Sequence, residues 1–411
     1  MYIKHWGVLI DNNSFKESLI DEIMEGPLPQ GFEALTDKKG MLFSKLALEE
    51  IMEEEERHGS KTLTATTEQA LKTMSSGEQK KALLHHILKS DPDFIILDNP
   101  FDNLDIATQG ELKYKLGCIA RNTSLIQLVS RKTDLLPFID TYATLKGKQL
   151  IFVDQWDDVA TQKAPDVFYG DIPPPIKPIE YDGSILIEMR NLQVSYFGKP
   201  ILNAIDWCIK KGEFWELSGS NGSGKTTILS MVTGENPKGY GQDLYIFGKR
   251  KGSGESVWDI KKKIGYFTPS MTDKFTGYHS VENMVISGLV DSIGLYLKPT
   301  EAQLRLARAW LELIHMWHLK DALYHDLSMG QKRLVMCIRA MIKHPILLIL
   351  DEPTAGLDDE SASLFVDLVN KFSRESDSAI IFVSHRKEPG LKPNFTFQLE
   401  MTGAGSVGHG R

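Results

Sequence analysis

The feature that most constrains this chain is an internal repeat. Residues 74–105 read MSSGEQKKALLHHILKSDPDFIILDNPFDNLD, and residues 327–358 read LSMGQKRLVMCIRAMIKHPILLILDEPTAGLD. The two align without a gap: Ser75 falls on Ser328, Pro92 on Pro345 and Asp98 on Asp351. The spacing from the serine to that aspartate is the same in both, and so is the step onward to Asp105 or Asp358. Any fold must therefore hold two related units, one behind the other along the chain. A length of 411 residues suits two to three domains. Each copy reads as α/β. The short apolar runs at 94–97 and 346–350 are typical of strands buried on both faces, and each follows a helix-like stretch that begins at the Ser-x-Gly step.

The stretch from Pro165 to Pro178, with Pro173-Pro174-Pro175 inside it, favours extended geometry and reads as a semi-rigid spacer. The expected layout is a first unit over 1–154, a linker over 155–183, a second unit over 184–402 and a frayed tail over 403–411. With 42% apolar and 25% charged residues, the chain is neither disordered, fibrous nor a disulfide scaffold. No run of about 18 apolar residues suggests a membrane span, and the N-terminus lacks the apolar core of a signal peptide. Cys118, Cys208 and Cys337 match no metal or CxxC spacing, so a reducing cytosolic compartment is expected. The net charge of −8 argues against a bulk nucleic-acid binder. Glu49-Glu50 with Glu53 to Glu56 reads as a solvated helix face. Lys249-Arg250-Lys251 with Lys261 to Lys263 reads as an exposed strand connection rather than a nucleic-acid contact.

The chemistry is concentrated in the second copy. Residues 219–227, GSNGSGKTT, satisfy G-x-x-x-x-G-K-[ST]. Gly219, Gly222 and Gly224 let the backbone turn tightly around phosphate oxygens. The N–H groups of Ser220, Asn221, Ser223 and their neighbours then form an anion nest at a helix start. Lys225 would reach the β- and γ-phosphates, Thr226 would complete a Mg²⁺ shell, and Thr227 follows in the first turn. Downstream, the strand ending in Asp351-Glu352 places Asp351 beside the metal and Glu352 beside the attacking water as general base. His385 ends another apolar strand further along the chain. Tyr196, upstream of Gly219, is expected to stack on adenine.

The order Tyr196, GSNGSGKTT, LSMGQ, LILDEP, Gly356-Leu357-Asp358 and His385 resembles an ABC-type ATPase over the whole span from Tyr196 to His385. Residues 234–267 look more narrowly like the molybdate-transport-associated, or photorepair, branch of tandem ABC proteins. The resemblance implies tandem P-loop NTPase domains of ABC type, the first incomplete, with ATP and Mg²⁺ as cofactors. It also implies that Leu327 to Gln331 is the signature motif, which in such proteins caps the γ-phosphate held by the opposite copy.

The first copy departs from this pattern. Counting back from Ser75 by the distance that separates Gly219 from Ser328 places a phosphate loop before Met1, and no G-x-x-x-x-G-K occurs there. Asn99 stands at the position of Glu352, and Arg131, allowing one residue of gap, at that of His385. The expectation is one active and one empty site. The second copy's loop faces Ser75, Ser76 and Gly77, whose hydroxyl and amides at a helix start suit a γ-phosphate. The family's Q-loop glutamine is replaced by Pro269, which weakens the expectation of transport coupling. Three functions stay open: the energising ATPase of a membrane permease, molybdate-related by the branch; an ATPase acting on a ribosome, nucleic acid or regulatory target; and a nucleotide-gated scaffold. A homodimer is a further arrangement, and a permease would bring the chain to the cytoplasmic face of a membrane.

Overall fold

The structure, a computed structural model, describes residues 3–58, 71, 74–156, 168–275, 277–292 and 294–411. The chain divides into two compact units, Met1–Gln162 with Gly356–Asp359, and Lys163–Ala355 with Glu360–Arg411. The first runs β1 (Trp6–Ile10), α1 (Lys16–Met24), β2 (Gly40–Phe43), α2 (Lys45–His58), α3 (Ser76–Lys89), β3 (Phe94–Asp98), α4 (Ile106–Ile119), β4 (Ser124–Val129), β5 (Thr141–Lys146) and β6 (Gln149–Val153). The second begins with β7 (Ile185–Tyr196), β8 (Lys199–Lys210), β9 (Phe214–Gly219), α5 (Lys225–Val232), β10 (Leu244–Ile246), β11 (Lys249–Arg250), α6 (Val257–Lys261) and β12 (Ile264–Phe267). It continues with α7 (Pro269–Lys274), α8 (Val281–Ser287), α9 (Glu301–Leu313), α10 (Met329–Met341), β13 (Leu347–Asp351), α11 (Asp359–Glu375), β14 (Ala379–Val383), β15 (Phe395–Glu400) and β16 (Val407–Gly410).

Each unit is built on a six-stranded sheet of the same order, β2-β3-β4-β1-β5-β6 in the first and β12-β13-β14-β9-β15-β16 in the second. All neighbours are parallel except the last pair of each. Parallel strands covered on both faces must be apolar throughout, which accounts for the runs FIILD and LLILD, buried at every position but the final aspartate. The second unit adds a four-stranded antiparallel sheet, β11-β10-β7-β8, and the helices α7 to α9.

The register shows what the spacing hid. Asp98 and Val8 both lie opposite Leu128, while Asp351 and Leu217 both lie opposite Val383. Strand β1 is therefore the counterpart of β9, with Val8 in the place of Leu217. Counting on without a gap, Ile10–Lys16 takes the place of Gly219–Lys225. The first copy does hold the loop position, contrary to the expectation that it lies before Met1. The count failed because the stretch from Lys16 to Ser75 is little more than half as long as that from Lys225 to Ser328. The same register places Ser130, not Arg131, at the position of His385.

Two further expectations are corrected. Residues 157–167, which include Pro165, lie outside the described residues. Within the described remainder of the proline-rich stretch, Ile172 and Pro173 dock on the second unit, while Pro174 and Ile176 to Pro178 stay exposed. Ile172 N donates to Glu375 Oε2 at 2.9 Å, the Pro173 carbonyl lies 2.8 Å from His344 Nε2, and the Ile172 side chain is buried. Nor does the tail fray. Residues Val407–Gly410 pair antiparallel with Phe397–Glu400, and Ser406 N donates to Ile201 O at 2.8 Å. The glycines that suggested fraying are what let it pack: a Cβ on Gly408 would strike the Phe397 ring. That ring in turn stacks on Trp207 at 4.3 Å. The acidic cluster behaves as expected and the basic one only in part, since Lys251 is buried with its ammonium 5.1 Å from the Tyr240 ring centroid. The glutamates line the outside of α2, with Arg57 and Lys45 pairing to Glu53 and Glu49. Lys249–Arg250 forms the short exposed strand β11.

Deletion of residues 403–411 removes the β16 partner of β15 and uncovers Phe397. The second unit should lose about 2–4 kcal/mol, by loss of buried apolar area, and melt several degrees lower in calorimetry. An unchanged midpoint would restore the frayed tail.

Candidate functional site

The site sits at the carboxyl ends of β9, β13 and β14, where open α/β sheets hold their ligands. Strand β9 delivers the loop. Gly219, Gly222 and Gly224 have φ of 153°, 79° and 97°, a backbone that L side chains rarely adopt. Gly224 is the left-handed N-cap of α5. Lys225 is 6% exposed and donates from Nζ to the carbonyls of Gly219 at 2.6 Å and Ser220 at 3.0 Å. The lysine is thus curled over the loop it would share with a phosphate. Ser223 N donates to Ser220 O at 3.2 Å, closing the turn, and Ser223 Oγ is buried with no hydrogen-bond partner. Thr226 and Thr227 follow in the first turn of α5.

Strand β13 ends on Asp351, and the chain then kinks. Glu352 has φ of 51°, and its N–H donates to Val383 O at 2.9 Å. Such a backbone is costly for a non-glycine residue, and the strand bond holds it. The kink carries the Glu352 carboxylate to His385, whose Nε2 contacts Glu352 Oε1. His385 Nδ1 is buried without a partner. Burial, reinforced by the charge of Glu352, lifts the Asp351 carboxyl to about 6 against the opposing pull of Lys225 and His385. Asp351 also accepts a hydrogen bond from the Tyr266 hydroxyl, which burial holds above its usual range. Tyr266, on β12 opposite Ile349, was not singled out in the sequence; its adjacency to Asp351 exists only through the pairing of β12 with β13.

Tyr196 ends β7. Its hydroxyl accepts from Asn236 Nδ2 at 2.7 Å, Asn236 Nδ2 also donates to Ser230 Oγ on α5, and Lys238 Nζ lies 5.4 Å from the ring centroid. The ring is tied to the helix that starts at the loop, and part of it packs on the core. Pro269 occupies the first position of α7, following Thr268.

The first unit places its own residues differently. Ser75 caps α3 in a reciprocal box with Glu78, and Ser76 Oγ donates to Asn103 O at 3.0 Å. Gly77 is buried, and a Cβ there would come within 2.8 Å of Thr108 Cγ2. Ser328 caps α10 in the same kind of box with Gln331. Asn99 repeats the kink of Glu352, with φ of 41° and its N–H on Leu128 O at 3.0 Å. Its side chain is satisfied internally: Oδ1 accepts from Ser130 N at 2.9 Å, and Nδ2 donates to Asp98 Oδ1 at 3.3 Å. The glutamate–histidine pair of the second unit is here an amide bonded to the backbone.

Comparison with known proteins agrees with this geometry. Residues 202–355 match the ABC transporter family. The chain is 37% identical over 339 residues to the ABC transporter ATP-binding protein ModF of Escherichia coli, covering 79% of this chain and 69% of that protein. It is 30% identical over 207 residues to the zinc uptake system ATP-binding protein ZurA of Listeria innocua, covering 49% of this chain and 76% of ZurA. In fold it is similar to the archaeal ribosome recycling factor aABCE1, solved in complex with the ribosomal stalk protein aP1. There the TM-score is 0.63 at 15% identity, covering 99% of this chain and 86% of that one. Among the described residues, no helix is long and apolar enough to cross a membrane. A glycine loop closed by Lys225, an acid pair at the end of β13 and a match to ModF over 79% of this chain place it in one family: it belongs to the ABC transporter ATP-binding proteins, and it is an ATP-binding ATPase.

Proposed function

We propose that the chain energises a membrane transport system through one working nucleotide site, built on the second copy. The observation that carries this reading is the contrast between the two kinks. At Glu352 the kink presents a carboxylate to His385, whereas at Asn99 it presents an amide already bonded to the backbone. An amide cannot accept a proton from water, so hydrolysis is assigned to the second copy alone. In this reading Lys225 and the amides from Gly219 to Thr227 bind the phosphates, Tyr196 packs on the adenine, Glu352 takes the proton of the attacking water and His385 orients Glu352. Ser75, Ser76 and Gly77 are proposed, on the family resemblance, to complete the site.

The donors at the site fit a magnesium ion. The Thr226 hydroxyl and Asp351 carboxylate are hard oxygen ligands, and burial leaves Asp351 short of positive charge. Mg²⁺ held there would neutralise phosphate charge as it builds in the transition state.

The names of the relatives ModF and ZurA support the transport reading, with molybdate as the candidate cargo of the branch. One observation favours a second reading, an ATPase acting on a ribosome, nucleic acid or regulatory partner. Pro269 starts a helix where the family's glutamine would contact the site and relay its state. Trapping ATP in Glu352→Gln cells and fractionating them separates the two. Retention with a permease in the membrane fraction supports transport, and co-sedimentation with ribosomes or nucleic acid supports the alternative.

Two predictions test the site itself. Lys225→Ala should abolish tight ATP binding, and Glu352→Gln should retain one ATP per chain while turnover falls about 10²–10⁴-fold. Hydrolysis near the parental rate in Glu352→Gln would remove the general base. The role of Ser75 is tested by a matched pair. Ser75→Ala and Ser328→Ala each delete a helix cap, at a similar cost of about 1 kcal/mol. Steady-state ATPase rates should nevertheless drop about tenfold or more for Ser75→Ala only. Equal losses would mean that Ser75 acts as a cap alone.

A further inference from the structure

The loop position of the first copy has lost its glycines but kept its lysine. Lys16 falls on Lys225, while Ile10, Asn13 and Phe15 replace Gly219, Gly222 and Gly224, and Glu17 replaces Thr226. The backbone has changed with them. None of residues 10–17 has a positive φ, and Phe15, the N-cap of α1, lies at φ −84° where Gly224 lies at 97°. A phosphate nest needs successive N–H groups turned to one side, and here they are used inside the unit. Asp11 N donates to Ser14 Oγ at 3.1 Å, Asn13 N to Asp11 Oδ1 at 2.9 Å, Ser14 N to Asp11 O at 3.1 Å and Phe15 N to Gly147 O at 2.9 Å. Glu17 adds a carboxylate to the first turn of α1, where a phosphate would meet repulsion.

The lysine itself has crossed to the acid. Lys16 Nζ lies 3.0 Å from Asp98 Oδ1 and 2.8 Å from Asp98 Oδ2, both carboxylate oxygens at once. In the second copy the equivalent lysine bonds the loop carbonyls instead.

We propose that Lys16 is a resident cation that closes the former nucleotide site of the first copy. Its ammonium supplies at Asp98 the positive charge that a bound cation would otherwise bring, and so ties the start of α1 to the end of β3 without a ligand. This rests on the reading that the second copy carries the single ATP site, and it adds how the first copy persists without one. The Asp98 side chain is only 12% exposed, so removing the lysine leaves a largely desolvated charge uncompensated.

The test uses the full chain. Thermal unfolding without nucleotide is measured for Lys16→Met, Lys16→Arg, Asp98→Asn and the double variant Lys16→Met/Asp98→Asn. Binding of a non-hydrolysable ATP analogue with Mg²⁺ is titrated calorimetrically for the parent, Lys16→Met and Lys225→Ala. Lys16→Met should lower the first unit's transition by about 3–6 °C. The double variant should recover most of that loss, because no charge is then stranded, and Lys16→Arg should melt close to the parent. The parent and Lys16→Met should each bind one equivalent with Kd equal within about twofold. A Lys16→Met midpoint equal to the parent's, or a double variant no more stable than Lys16→Met, would overturn the resident-cation role. Two equivalents in the parent falling to one in Lys16→Met would overturn it too, by making Lys16 a phosphate ligand. The underlying reading fails separately: if Lys225→Ala still binds one equivalent, the ATP site is not on the second copy, whatever the Lys16 series shows.

Discussion

Everything at the site depends on parallel pairing among three strands. Strand β14 lies between β13 and β9, and its register sets Asp351 opposite Val383 and Leu217 opposite the same residue. The loop leaving β9, the acids ending β13 and the histidine following β14 therefore emerge at one edge. Parallel strands all end on the same side of a sheet, so residues far apart in sequence converge without any of them being near a neighbour in the chain. The apolar strand interiors contribute the stability, and the strand ends, where pairing stops, are free to carry charge.

The same scaffold appears twice with opposite electrostatics. In the second unit, the glycine loop keeps Lys225 on its own carbonyls, while burial and Glu352 raise the Asp351 carboxyl to about 6. That is an arrangement short of positive charge. In the first unit, Lys16 sits on Asp98, Asn99 has no charge to add, and the loop amides bond to their surroundings. Positive-φ glycine turns and an acid in want of a cation are what a ligand requires, and both have been removed together. Losing the glycines alone would leave an unsatisfied acid; crossing the lysine over satisfies it.

Away from the site, the second unit is pinned by buried cations. Helix α10 is buried on most sides, and its Arg339 donates to Ser287 Oγ at 3.0 Å and Ser292 O at 2.7 Å, while Lys343, just beyond its end, pairs with Asp291 at 2.6 Å. These buried cations tie α10 to the segment around α8. Breaking such a pair strands a charge in the core, which is why they hold as geometric pins rather than as sources of net stability.

The sequence by itself determined the repeat, the α/β character of each copy, the glycine loop at 219–227 and the acid pair at Asp351-Glu352, because each is a local pattern with a physical reason for its spacing. The kinked Glu352 and Asn99 were legible as residues, though not as left-handed positions. What only the tertiary structure decided is what depends on pairing between distant segments. The first copy's loop was invisible because its glycines, the only local signal, are gone and the segment before Ser75 is shorter. Ser130 rather than Arg131 matches His385 because strand register, not spacing along the chain, sets the correspondence. Gly408 looked like a frayed tail until Phe397 was seen to lie against it, and Pro173 looked like spacer until His344 was seen to meet its carbonyl. Hydrogen-bond register and cross-chain packing are properties of two segments at once, and a pattern read along one segment cannot contain them.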